Sequence, residues 1–63
     1  MRQKDFNEVA RVLGNEVRTC DEPERDGLYA GYWALMGHAD HVYPDVSREQ
    51  MMANFEQGRM RGL

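Results

Sequence analysis

The stretch Gly27-Leu-Tyr-Ala-Gly-Tyr-Trp-Ala-Leu-Met-Gly-His-Ala39 carries no acidic or basic side chain apart from one histidine, in a chain where Asp, Glu, Lys and Arg make up 30% of residues. It reads as a helix that is apolar on nearly all sides. In a water-soluble protein such a helix must be covered by other helices or by a second subunit. Leu28, Tyr32, Leu35 and Ala39 form its main stripe, with Met36 beside it. Tyr29, Trp33 and Met36 lie on one flank, and Gly27, Ala30, Gly31 and Ala34 form a ridge of small residues on the other. Pro23 suits the first turn of this helix, and Glu24 and Asp26 favour the positive end of its dipole. The spacing predicts a helix over residues 23–40.

Working outward, Phe6, Val9, Ala10, Leu13 and Val17 follow helical spacing and occupy one face of a preceding helix. Asp5 with Glu8 three residues on resembles a capping box, which places this helix at about residues 4–18. Gly14 would cost about 1 kcal/mol in its interior, and it offers a place for a neighbour to approach closely. On the other side, Pro44 biases Tyr43 to an extended conformation. Ser47 with Gln50 is a capping box, and Val46 with Met51 is a hydrophobic staple. A third helix therefore begins at Arg48 and runs over 48–57. Met51, Met52 and Phe55 are expected to point inward, Gly58 to act as its stop, and residues 59–63 to fray.

The expected fold is one small all-α domain over residues 1–63, a three-helix bundle with a central apolar second helix. Its core is expected to contain Phe6, Val9, Leu13, Val17, Leu28, Tyr32, Leu35, Met51 and Phe55. No strand-like alternation or internal repeat competes with this reading.

Composition narrows the function. Eight basic and eleven acidic residues give a net charge of −3, spread without blocks of like sign. That argues against a nucleic-acid partner, which calls for a basic face. The route left open is a local one, with Arg2, Lys4, Arg59 and Arg61 meeting where the chain ends converge, or Arg48, Gln50 and Asn54 displayed from a recognition helix. A single cysteine, Cys20, cannot form an internal disulfide, which fits a reducing compartment. Met1 is followed at once by Arg2, Lys4 and Asp5, and the uncharged run is too short to span a bilayer. A cytoplasmic location without a membrane is therefore expected.

His38, Asp40 and His41 are the one cluster of metal-capable side chains, but they lack a third firm ligand. Their plainer role is at the helix C-terminus. Cys20 with a histidine could make a nucleophile and base, yet a chain of this size has little room for a substrate cleft. No metal, no cofactor and no enzymatic activity are expected.

The chain resembles a group of short accessory proteins of tailed bacteriophages, prophages and integrated elements. The resemblance rests on Lys4-Asp5-Phe6, Val9-Ala10 and Leu13, then on Tyr43-Pro44-Asp45-Val46-Ser47-Arg48-Glu49 and Gly58. It departs from that group in its glycine-rich, uncharged second helix. The resemblance implies a phage or mobile-element accessory protein, acting in the host cytoplasm, and carries over no activity and no functional residues.

The residues themselves point to protein binding. The first and third helices each offer one narrow apolar stripe, so two stripes must cover three flanks of the second helix. One flank is left for a partner: Tyr29, Trp33 and Met36, or the Gly27-Ala30-Gly31-Ala34 ridge. The expected function is binding to a host protein and modulating it, with self-association through the second helix as a subsidiary expectation. The competing class is a small DNA-binding transcriptional regulator.

Overall fold

The structure, a computed structural model, describes residues 2–61 as three helices in succession: α1 (Gln3–Thr19), α2 (Glu22–Val42) and α3 (Arg48–Arg61). The described residues contain no strand, and none of their helices is long and apolar enough to cross a membrane. The expected three-helix bundle is therefore the fold. Leu63 and Gly62, part of the segment expected to fray, lie outside the described residues. The rest of that segment, through Arg61, is helical.

The α1–α2 joint is short. Cys20 and Asp21 are both extended, the Cys20 amide closes α1 on the Glu16 carbonyl at 2.8 Å, and Pro23 sits in the first turn of α2. The α2–α3 joint is a turn in which the Val46 amide donates to the Tyr43 carbonyl at 2.9 Å. Pro44 occupies its second position, where a fixed φ favours the turn.

The expected cap of α3 is present. Ser47 Oγ accepts from the Gln50 amide at 3.2 Å, and the staple residues Val46 and Met51 are both buried. The reciprocal half of the box comes from another helix. Gln3 Oε1 accepts from the Ser47 amide at 2.5 Å, while Gln3 Nε2 donates to the Ser47 carbonyl and to Asn7 Oδ1. Gln50, expected to reach back to its own helix, instead accepts from Asn7 Nδ2 at 3.1 Å. The start of α3 is thus capped partly by α1. Arg2 adds to this lock, pairing with Asp45 at 3.1 Å and lying over the Tyr43 ring at 5.2 Å.

These contacts put the starts of α1 and α3 side by side, so the two helices run in the same direction. Farther along they meet backbone to backbone at two buried glycines. A Cβ on Gly14 would collide with the Phe55 carbonyl and lie 2.8 Å from the Arg59 amide nitrogen. A Cβ on Gly58 would collide with the Arg11 carbonyl and lie 2.9 Å from the Asn15 amide nitrogen. No side chain fits between the helices here.

This crossing corrects several expectations. Gly58 is not a stop: it is buried inside α3, which continues to Arg61. Gly14 does serve close approach, and it sets the rotation of α1. The buried line of α1 is Phe6, Ala10, Gly14 and Val17. Val9, expected in the core, is turned out and 46% exposed, and Leu13 is half-buried. Met52 is likewise turned out by the phase that buries Met51 and Phe55. The expected Asp5 cap does not form, because α1 already begins at Gln3. Glu8 pairs with Arg11 at 2.7 Å instead.

The core consists of Phe6, Ala10, Val17, Tyr32, Met36, Ala39, Val46, Met51 and Phe55. Tyr32 stacks on Phe55 with ring centroids 3.9 Å apart and is the main tie between α2 and α3. Leu28 and Leu35 pack against this core from the side and stay half-buried. The expected central position of α2 is not what forms. The tight pair is α1 with α3, and α2 lies against that pair with only Tyr32, Met36 and Ala39 buried. Two helices that touch through glycines present one shared surface to a third, and they cannot stand apart to enclose it.

Candidate protein-binding surface

The face of α2 turned away from α1 and α3 is the candidate site. Gly27, Ala30, Gly31, Ala34 and Gly37 are exposed along it, and Trp33 stands beside them with 59% of its surface in water. A Cβ added to Gly27, Gly31 or Gly37 would meet no atom within 4 Å. Between Gly27 and Ala39 this strip, nearly half the helix circumference, has no Asp, Glu, Lys or Arg, and His38 is its one ionisable side chain.

Of the seven residues expected at an interface, five remain on this surface: Gly27, Ala30, Gly31, Trp33 and Ala34. Met36 does not. It is buried in the core, because the turn that exposes Trp33 carries Met36 round to the side facing α3. Tyr29 is half-buried, its ring 5.7 Å from Phe55, and contributes only an edge. The exposed surface extends beyond these residues. Trp33, Gly37, Pro44 and Met52 line a groove of about 680 Å³ between α2 and the start of α3. Asp40 and Arg48, paired at 3.5 Å, close one side of it. Met52 was the available signal, as a large apolar residue adjacent to Met51 on a helix that can bury only one of the two.

Trp33 is held in place from below, with its ring tilted against Tyr32 at 5.3 Å. The Tyr32 hydroxyl is pushed above the usual phenol range by burial and then by the nearby Glu56 carboxylate. Glu56 is itself held below the usual carboxylate range by its hydrogen bonds from Arg59, at 2.8 and 3.1 Å. The phenol therefore stays neutral beneath the exposed indole.

The other candidate groups are not brought together. His38 lies edge-on to Tyr43 at 5.9 Å, Asp40 is taken by Arg48, and His41 is exposed. Among the described residues no three His, Cys, Asp or Glu side chains gather as a metal site. Cys20 is at the opposite end of α2 from both histidines, its thiol directed at the Val17 carbonyl. The imagined basic face also does not form. Arg2 and Lys4 stand at the start of the parallel α1–α3 pair and Arg59 and Arg61 towards the end of α3, roughly 15–20 Å away at about 1.5 Å per helical residue. Arg48, Gln50 and Asn54, proposed as base-reading residues, are bonded to Asp40, Asn7 and the Gln50 carbonyl respectively.

No family model matches this chain, and no curated protein or solved structure matches it either.

Proposed function

We propose that this chain is a protein-binding module, a phage or mobile-element accessory protein that modulates a host factor by docking the outer face of α2 onto it in the host cytoplasm. The observation that carries the reading is Trp33, a large side chain left mostly in water beside a strip of glycines and alanines. Tryptophan is enriched among the few residues that dominate binding energy, and small neighbours let another backbone come close. A strip of this kind, rimmed by charge, is what a docking face requires. The same face offers itself to a second copy of the chain. The DNA-binding alternative has no comparable support, because its basic residues stand at opposite ends of the bundle.

The test uses two variants of the full chain, Trp33→Ala and Ala34→Glu, both at exposed positions. Removing a hot-spot tryptophan costs about 2 kcal/mol or more of binding, roughly a thirtyfold loss of affinity. Sedimentation reads self-association, and cross-linked capture from host lysate, with each variant compared against the parent, reads a foreign partner. If both variants retain every association of the parent chain, the outer face of α2 is not the binding surface.

A further inference from the structure

Three arginines from three different helices face one small concavity at the end of the bundle remote from the α2–α3 joint. Arg18 comes from the last turn of α1, Arg25 from the start of α2 and Arg59 from the last turn of α3. Buried Val17 forms part of the wall, as does half-buried Tyr29, and the hollow measures about 260 Å³. Like charges gathered in a chain of net charge −3 repel one another, and folding by itself gives no return for the arrangement. Arg25 is also placed against the helix dipole, since a cation near an N-terminus is disfavoured. Glu56 holds Arg59 through both of its carboxylate oxygens. Among the described residues no ion pair engages Arg18 or Arg25.

We propose that this hollow is an oxyanion site that takes a single phosphate group. Guanidinium groups present planar, paired N–H donors that match phosphate oxygens, and they stay charged at any physiological pH. Arginines lining one hollow from three separate helices, with Arg59 shared with Glu56, suit one compact, multiply charged anion better than the extended backbone of a duplex, which calls for a basic stripe. The hollow shares only Tyr29, at the edge of the candidate surface, and none of its arginines lies on the exposed strip of α2, so the site is tested separately from the protein-binding reading. The same oxygens are offered by free phosphate and by a phosphomonoester. Tyr29 in the wall gives an aromatic phosphomonoester a ring to rest against.

The experiment is a titration of the full chain with sodium phosphate, and in parallel with phenyl phosphate, at constant ionic strength against sodium chloride. It is followed by NMR of the arginine Nε–H groups and the Tyr29 ring. Saturable shifts confined to Arg18, Arg25, Arg59 and Tyr29 are expected. Tighter binding of phenyl phosphate than of phosphate would mark the esterified group as the ligand, and equal binding the free ion. Arg25→Gln should weaken binding about tenfold or more, the scale of a lost charge-assisted hydrogen bond. Arg2→Gln, the same charge change at the opposite end, should leave binding within about twofold, because exposed charges beyond a Debye length are screened. Glu56→Gln should strengthen it by freeing Arg59. Unfolding curves of each variant establish that the fold is intact. Shifts that match those of chloride, or that Arg25→Gln leaves unchanged in a folded chain, would overturn the proposal. Saturation by a duplex oligonucleotide but not by phosphate would replace it with a nucleic-acid backbone site.

Discussion

Replacing Gly14 by alanine tests the α1–α3 crossing. In an ordinary helix interior this change stabilises by about 1 kcal/mol, since alanine has the better helix propensity. At Gly14 the added methyl group would be inside 3.0 Å of the Phe55 carbonyl and the Arg59 amide, both backbone groups that cannot swing aside. The helices must part by about 1 Å or more, and a gap of that size forfeits about half of each dispersion contact across it. Overpacking costs about 1–3 kcal/mol, and more where rigid atoms obstruct. Set against the propensity gain, the expected net effect is a loss of about 2 kcal/mol, or roughly 8–16 °C in Tm for a domain of this size. Gly31→Ala is the control, because its new methyl group meets no atom within 4 Å and should raise stability by up to about 1 kcal/mol. Urea and thermal unfolding followed by helical circular dichroism read both. A Gly14→Ala chain as stable as the parent would refute the backbone-to-backbone crossing and the rotation of α1 that depends on it.

Two further predictions concern the α3 start and the buried phenol. Ser47→Ala should cost about 0.5–2 kcal/mol, and Gln3→Ala about 1 kcal/mol. The double variant should lose less than the sum, since one helix start can fray only once; strict additivity in urea unfolding would mean that the two side chains hold independent features. For Tyr32 the folded pKa is raised, so its contribution is fully present below the unfolded value near 10 and lost as pH rises through the folded one. Stability should therefore fall above about pH 10 with a slope that Tyr32→Phe reduces; an unchanged alkaline slope in that variant would place the loss elsewhere.

Helix positions were legible in the sequence where a signal is local. Ser47 announces α3 because the bond it makes is to an amide three residues on, and Pro23 announces α2 because its fixed φ suits a first turn. The rotation of α1 and the end of α3 were not legible, for one shared reason. Taken singly, Gly14 is a weak point in a helix and Gly58 a natural terminator. Their use is pairwise, each clearing the space that the other helix's backbone fills, and no local pattern encodes a pair so far apart in sequence. Val9 loses its place in the core to that pairing, since rotating Gly14 inward carries Val9 outward. The candidate surface was legible in part. An excess of apolar circumference on α2 follows from composition, but which flank stays exposed depends on the Tyr32–Phe55 stack, which draws Met36 inward and leaves Trp33 outside.

The two sets of glycines then separate stability from the proposed binding role. Gly14 and Gly58 are needed within the chain, because the α1–α3 crossing closes only without side chains there. A Cβ at Gly27, Gly31 or Gly37 would meet nothing within 4 Å, and each sits in a helix where alanine would be favoured by about 1 kcal/mol. Stability alone gives no reason for three such residues on one exposed strip, whereas a docking face that must meet another backbone closely does. The consequence is an opposition of signs. Gly31→Ala should raise Tm while weakening association through α2, since one extra methyl group at a close crossing holds the partner off. Gly14→Ala should lower Tm and leave the affinity of the folded fraction unchanged. Unfolding and sedimentation on the same two preparations measure both quantities. A Gly31→Ala chain that is more stable and associates as well as the parent would remove the ridge from the binding surface and leave Trp33 to carry it alone.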